Sequence, residues 1–370
     1  MRRIKAIIYG VGTIGKLTTK YMVSKGVDIV GAIDVEPEIV GKDLGEVAAL
    51  GRLLNVRIND NADAVLSQQE ADIVVVSIYS QMDRMFPIFS KCMENGLNII
   101  TPAEEALYPW GISPELASKL DKLAKKYGVT ITASGGQDTF RVNIPAILTG
   151  ASRIIESMTL REKGDLSESG PASAMNYHLG NNKDQFYREI REKGLALSSL
   201  RICLEAIIAD LGLTINKTEQ HVEPTIDDVD VKAKGVVGGI VKKGLVTGMT
   251  KTIDIETEQG IKFHGDQTYK AFNEDEKAQG RLQECLIKGV PDLHLRLHIM
   301  EIETKSSAVS QMVNRVPDVI NSEPGYITVE KLGKLKFRAF PLERYVIRGR
   351  EKESKFTRKS ERSISGSNFD

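Results

Sequence analysis

The sequence predicts an α/β protein, with an N-terminal Rossmann dinucleotide-binding domain followed by an α+β domain built on an open mixed sheet. Three observations predict it. Over the first 135 residues, short and almost wholly apolar segments alternate with amphipathic ones. A glycine-rich turn, Gly10-Val11-Gly12-Thr13-Ile14-Gly15, separates the first apolar segment from the first amphipathic one. Past residue 135 the apolar segments lengthen and alternate residue by residue, the period of half-buried strands. A chain of 370 residues also exceeds the usual size of a single core.

In order, segments 4–9, 28–33, 73–78, 97–100 and 129–132 read as strands, with helices over 14–24, 83–94 and 114–126. Strands separated by helices pair in parallel, because each crossover returns over one face of the sheet. Ile73-Val74-Val75-Val76 has no polar face at all, as a strand covered on both sides requires. In the second half, 153–162, 244–256, 261–272 and 293–304 read as longer, mostly antiparallel strands, with Glu258-Gln259-Gly260 as a hairpin turn. Segments 184–192 and 197–210 read as helices, and a helix over 306–320 is expected to pack back on the first domain. The expected division is 1–135 for the cofactor, 136–346 for substrate and dimerisation, and a disordered tail over 347–370. That tail is polar and Ser-rich, with few apolar anchors.

Composition excludes several function classes. Fifty basic residues against fifty acidic ones leave no electrostatic footprint for nucleic acid or an anionic membrane. No apolar run approaches the roughly 18 residues of a membrane span, and MRRIKAIIYG passes straight into a strand rather than a signal-peptide core. Cys92, Cys203 and Cys285 are scattered and the histidines show no ligand spacing, so neither a metal site nor a disulfide framework is expected. A cytoplasmic protein acting on a small molecule is the expectation.

The glycine turn has the context a dinucleotide fingerprint demands: a strand before it, a helix after it, and Asp34 at the end of the second strand. Gly10 permits the tight turn, Gly12 lets a pyrophosphate approach the backbone, and Gly15 lets helix and strand pack closely. The free amides at Thr13 and Ile14 then face the phosphates. Asp34 is placed to accept from the adenosine ribose and to repel a 2′-phosphate, and Val35-Glu36-Pro37-Glu38 offers no arginine. NAD is therefore favoured over NADP. Ligands of an open parallel sheet sit beyond the carboxyl ends of its strands, which places Ser77, Ile78, Ser80 and Thr101 at the nicotinamide end.

The segment Thr101-Pro102-Ala103-Glu104-Glu105 admits two readings. Thr, Pro and Glu in this order make a good helix start. Pro109 and Gly111 stop any such helix at once, and Ser113-Pro114-Glu115 offers a second start, so one of the two glutamates is a candidate for chemistry instead. Arg161 and His264 lie on polar strand faces that are either solvent or cleft floor; as a substrate-facing pair they would hold a carboxylate.

Gly10–Gly15 together with Val40-Gly41-Lys42-Asp43-Leu44-Gly45-Glu46 and Glu104-Glu105-Ala106-Leu107-Tyr108-Pro109 resembles the 2,4-diaminopentanoate dehydrogenases. The native amine dehydrogenases belong with them, and both are relatives of dihydrodipicolinate reductase. The similarity extends to Asn314-Arg315-Val316-Pro317 and Pro324-Gly325, with Asn314 expected beside the cofactor. The resemblance implies Glu104 as the catalytic acid/base, a dimer-forming C-terminal domain, and oxidation of an amine to a ketone plus ammonia, reversible as reductive amination. One segment departs from the family pattern: Ser134-Gly135-Gly136-Gln137-Asp138-Thr139-Phe140 replaces a Gly-Thr-Gly-x-Asn-Pro-Gly-like stretch. Gln137 and Phe140 are expected to line the substrate pocket, so the substrate's identity stays open.

Other readings meet specific absences. Sugar and inositol dehydrogenases of similar architecture use a lysine after this strand, and 97–118 contains none. Dihydrodipicolinate reductase carries a paired His-His that is missing here. A non-catalytic nicotinamide-dinucleotide sensor is the remaining alternative.

Overall fold

The structure is a computed structural model that describes residues 2–68, 70–300 and 305–347. The expected tail from residue 348, and the end of the strand expected over 293–304, lie outside the described residues.

The first half is a parallel sheet. Its strands are β1 (Lys5–Tyr9), β2 (Asp28–Ile33), β3 (Ile58–Asn59), β4 (Ile73–Val76), β5 (Asn98–Thr101) and β6 (Thr130–Ala133). Helices α1 (Thr13–Ser24), α2 (Leu44–Val47), α3 (Ala62–Gln68), α4 (Met82–Glu94) and α5 (Pro114–Tyr127) lie between them. The spatial order is β3-β2-β1-β4-β5-β6, with a late two-residue strand at Gly325–Tyr326 beyond β6. The order reverses between β1 and β4, and a crevice forms there at the carboxyl ends of the strands. Alternation within each strand feeds two layers. Ala6, Ile8, Ile73 and Val75 face one side, whereas Ile7, Val74 and Val76 face the other.

The second half is a six-stranded mixed sheet. Strands β7 (Ile154–Asp165), β8 (Ile215–Ile226), β11 (Val246–Thr257), β12 (Lys262–Lys270), β13 (Arg281–Val290) and β14 (Leu293–Ile299) run in the order β14-β13-β7-β12-β11-β8. Here β9 (Val231–Lys232) and β10 (Ile240–Val241) form a separate short hairpin, and the late strand Gly325–Tyr326 is β15. All neighbours are antiparallel except β7 and β12. The sequence reading missed β8 and β13. In β8 the residues are exposed or half-buried on both faces and include Pro224, which an edge strand tolerates and a central one does not. In β13, Gln283 and Glu284 occupy buried positions and break the apolar alternation.

Helices α6 (Ile144–Thr149), α7 (Pro171–Asn176), α8 (Lys183–Lys193), α9 (Ser199–Asp210), α10 (Glu274–Gln279) and α11 (Ser306–Asn321) complete the described chain. One apolar core runs through both halves. It joins Met85 and Phe89 of α4 through Leu107 and Val142 to Ile207 of α9, and on to Met158, Ile253 and Phe263 of the second sheet. On the other side of the parallel sheet, Val309, Met312, Val313 and Val316 of α11 pack against α1 and β1.

The junction between the sheets is one turn of π-helix, Asp138–Asn143, directly past β6. Asp138 accepts both Nε and Nη2 of Arg315 at 2.8 and 2.9 Å, and neither side chain is exposed. Ser134 and Asn143 also donate to this carboxylate. Three residues on, Arg141 reaches Glu162 of β7, so the same turn grips α11 with one side chain and the second sheet with another.

Breaking a buried pair from one side leaves an uncompensated charge. Asp138→Ala is therefore expected to lower stability in urea unfolding by about 3–5 kcal/mol, and the double change Asp138→Leu with Arg315→Met to recover much of it. A loss below about 1 kcal/mol for the single variant, the lower end for an ordinary unpaired polar group, would show that the pair is not needed.

Candidate active site

The β1–α1 turn is built to meet a phosphate. Gly10 adopts φ +96°, and a Cβ there would stand 2.5 Å from the Ser77 carbonyl, so strand ends β1 and β4 approach as only glycine allows. A Cβ at Gly15 would stand 2.0 Å from the Gly10 carbonyl. A Cβ at Gly12, by contrast, would meet nothing within 4 Å, so the space over the helix start is open. The amides of Gly12, Thr13 and Ile14 donate to no acceptor among the described residues, and no side chain caps α1. Asp34 accepts the Val11 amide at 2.6 Å and the Glu36 amide at 2.9 Å, which holds its carboxylate beside the turn. These residues fit a dinucleotide pyrophosphate and ribose.

Past β5 the chain forms no α-helix: 102–108 is an irregular loop leading to a single 3-10 turn at Pro109–Gly111. Its N-terminal anchor is Thr101, whose hydroxyl donates to the Val76 carbonyl at 2.7 Å and accepts the Ala103 amide at 3.1 Å. With 0% exposure, Thr101 holds the loop rather than facing a ligand. Further along, the Tyr326 hydroxyl donates to the Ala106 carbonyl at 2.6 Å.

The two glutamates then separate. Glu105 accepts the Met82 amide at 2.8 Å, at the first residue of α4, where an acidic group meets an orphan donor and the positive end of the helix. Glu104 faces a cavity of about 540 Å³ between the two sheets. The cavity's other walls include Ser80, Tyr177, Ile202 of α9, and Met249 and Lys251 of β11. Glu104 is solvent-accessible because it lines the cavity, yet protein packs around it deeply enough for burial to raise its carboxyl above the ordinary range. Arg141 and Lys251 pull it back down, while Glu162 and Glu105 push it further up.

Behind the cavity lies a polar network. Glu162 takes bonds from Arg141, from the Tyr269 hydroxyl at 2.8 Å and from the Gln267 amide at 3.1 Å. Gln267 also binds Ser198 and Ser199. Burial alone would raise the Glu162 carboxyl, but Arg141 and Arg281 together with the hydrogen bonds from Tyr269 and Gln267 hold it below its ordinary value. Tyr177, on the cavity wall, is raised first by burial and then by the charge of Glu104.

Five expected contacts fall elsewhere. Arg161 and His264 lie on the opposite face of the second sheet, because neighbours on a strand alternate and it is Glu162, not Arg161, that faces inward. There Arg161 pairs with Asp266 and Glu284, while Asp254 and Asp266 bracket His264 and push it up to about 9. Asn314 takes a 3.4 Å bond from the Tyr21 hydroxyl, in the last turns of α1 and well along the helix from the glycine loop. With Phe140 it lines a separate cavity of about 250 Å³. Gln137 is buried next to Gly135, outside the Glu104 cavity. Ser80 lines that cavity, and Ser77 and Ile78 stand at the tip of β4, with Ser77 donating to the Gly10 carbonyl at 3.0 Å.

Two residues the sequence reading passed over enter the site. Lys251 carries its own signal: it shares strand parity with Met249, Ile253 and Ile255, an ionisable group in an inward, apolar register. Tyr177 has no such signal, since α7 is a single short helix whose position only the fold supplies.

The family profile of the 2,4-diaminopentanoate dehydrogenase C-terminal domain matches residues 143–337. The chain belongs to the 2,4-diaminopentanoate dehydrogenase family. A 2,4-diaminopentanoate dehydrogenase of Acetoanaerobium sticklandii is 27% identical over 343 residues, covering 89% of this chain and 93% of that protein. The solved amine dehydrogenase of Mycobacterium smegmatis is 35% identical, with a TM-score of 0.83 over 92% of this chain and 98% of that one. A myo-inositol dehydrogenase of Lactobacillus casei, 13% identical with a TM-score of 0.56, covers 89% of this chain and 92% of its own and shares the fold alone. Membership makes the chain an oxidoreductase. Among the described residues no helix is long and apolar enough to cross a membrane, and no group of three or more His, Cys, Asp or Glu side chains is placed to hold a metal.

A carboxyl held above its ordinary pKa favours the protonated form in the folded state, so it adds stability at low pH that is lost as pH rises through the raised value. Glu104→Gln stays neutral throughout. Its melting temperature is expected to exceed the wild type's near neutrality and to converge with it as pH falls into the ordinary carboxylate range. An offset that does not change with pH would contradict the raised carboxyl.

Proposed function

We propose that this protein catalyses the nicotinamide-dependent oxidative deamination of an amine to a ketone and ammonia, and the reverse reductive amination, with Glu104 as the acid and base. The observation that carries this reading is the division of labour in the glutamate loop: Glu105 is tied to the start of α4, while Glu104 faces the cavity, which Ser80 past the end of β4 also lines. The names of the A. sticklandii and M. smegmatis relatives support the same reaction class.

The dinucleotide, held at Gly10–Gly15 and Asp34, supplies the acceptor for the hydride of the carbon bearing nitrogen. The chain supplies the proton chemistry. An amine arrives as an ammonium ion, and only the neutral amine can part with hydride, so Glu104 first takes its proton and releases it to water in the cavity, which leaves the carboxyl ionised again. The substrate then carries an iminium charge next to the ionised carboxylate. At about 4 Å and an effective dielectric near 20, that attraction is worth roughly 4 kcal/mol. Glu104 next takes a proton from the water that adds to the iminium carbon, and returns one to the departing ammonia. A carboxyl raised toward the working pH exchanges protons in both directions more readily than an ordinary one. In this reading residues 1–135 carry the cofactor, residues 136–346 carry the substrate and form a homodimer, and NAD is the cofactor.

Glu104→Gln keeps size and polarity but exchanges no proton near neutrality. Its turnover is expected to fall by ~10²–10⁴ while NADH still binds, whereas Glu105→Gln loses much less. A fully active Glu104→Gln would remove the mechanism, and equal losses would remove the distinction between the two residues. For the cofactor, the expected result is a lower Michaelis constant for NADH than for NADPH, narrowed by Asp34→Ala through loss of charge repulsion. A native preference for NADPH would reverse that assignment.

A further inference from the structure

The charges around the Glu104 cavity are almost all paired within the protein. Glu105 is held at the start of α4. Glu189 bonds to His178, Asn181 and Lys193, which accounts for the acid, the histidine and the lysine on the α7–α8 wall. Two charges of opposite sign are left facing the cavity, Glu104 and Lys251.

Lys251 is 7% exposed, and its single bond among the described residues is a long one, 3.4 Å from Nζ to the Leu197 carbonyl. It stands at the end of a row of inward polar residues running across the sheet, Gln283–Glu162–Gln267–Lys251, one from each of four adjacent strands. Glu162, the row's carboxylate, is occupied by Arg141, Tyr269 and Gln267, and Gln267 by Ser198 and Ser199. The row therefore supplies Lys251 with no counter-ion. Burial accordingly lowers the lysine below its ordinary pKa, with Glu104 the charge that opposes this. A buried ammonium with one weak bond is costly unless a ligand completes it.

We infer that Lys251 is a specificity-determining residue that receives a carboxylate on the substrate, so that the protein takes amino-carboxylates whose amine lies at Glu104 and whose anion lies at Lys251. This rests on the amine dehydrogenase reading above. One lysine balances one negative charge, and a zwitterionic substrate neutralises both unpaired groups of the cavity at once. A simple monoamine satisfies Glu104 and leaves Lys251 buried without a counter-ion. Arg161 and His264, on the far face of the sheet, play no part in this.

The test pairs two ketones that differ only in the anion, 4-oxopentanoate and 2-pentanone, each reduced with NADH and ammonia. Wild type is expected to favour 4-oxopentanoate in kcat/KM by tenfold or more. Lys251→Met is expected to raise KM for 4-oxopentanoate by about tenfold or more, the range of a charge-assisted hydrogen bond, and to leave KM for 2-pentanone within about twofold. Its kcat is expected to shift alike for both ketones, because Lys251 also holds the Glu104 carboxyl down. Lys251→Arg, which keeps the charge, is expected to restore part of the loss. An equal rise in KM for both ketones would make Lys251 structural, and an unchanged KM for 4-oxopentanoate would remove it from binding; either result overturns the inference. Calorimetric titration of the NADH-saturated protein with 4-oxopentanoate separates this from failure of the reaction itself. If neither ketone is turned over, the amine dehydrogenase reading falls, while weaker binding to Lys251→Met than to wild type still supports the carboxylate site. Equal binding by the two proteins, or no binding by either, overturns it.

Discussion

The rest of the structure depends on the buried, two-point ion pair between Asp138 and Arg315. It sits where the chain leaves the parallel sheet and must still be held against it. Taking two charges out of water costs several kcal/mol per ion unless geometry and extra hydrogen bonds compensate. Both conditions are met: the guanidinium fork matches the carboxylate, and Ser134 and Asn143 fill its remaining acceptor positions. The same turn places Arg141 against Glu162 of the second sheet. One short π-helical turn thereby sets the position of one sheet relative to the other, and so the width of the cavity between them.

That cavity explains the form of the glutamate loop. A regular helix after β5 would have turned Glu104 and Glu105 about 100° apart on one cylinder, with the carbonyls used internally. The chain instead bends irregularly, held by the Thr101 hydroxyl at one end and the Tyr326 hydroxyl further along. Glu105 is drawn to the start of α4, and Glu104 is presented to the space between the sheets. A local hydrogen-bonding choice thus separates a capping role from a chemical one in adjacent, identical residues.

The second sheet divides its charges by face. Outward residues such as Arg161, His264 and Asp266 pair with one another on a partly exposed face, and the buried Glu284 takes Arg161, His294 and Arg296. Inward residues form a row in which Glu162 is fully satisfied and Lys251 is not. The imbalance falls on the cavity wall, facing Glu104, where a ligand can complete it. Elsewhere in the core the polar groups are matched more fully, as with Thr101 and Asp138.

By itself the sequence determined the parallel half and the cofactor turn. Strands covered on both faces read as unbroken apolar runs, and a glycine turn needs only its immediate neighbours to be recognised. It also narrowed the chemistry to two adjacent glutamates, and a family likeness singled out the first. Only the tertiary structure decided why they differ, because the start of α4 that occupies Glu105 lies more than twenty residues away in sequence. The same holds for the inward and outward faces of the second sheet. Period-2 alternation shows that Arg161 and Glu162 point opposite ways, but which face is covered depends on α9 and the core packing against it. Lys251 was legible as an ion in an apolar register, yet its lack of a counter-ion follows from bonds among residues spread from Arg141 to Tyr269. Long-range pairing of this kind leaves no local pattern, since each partner taken alone is an ordinary polar side chain on an ordinary strand.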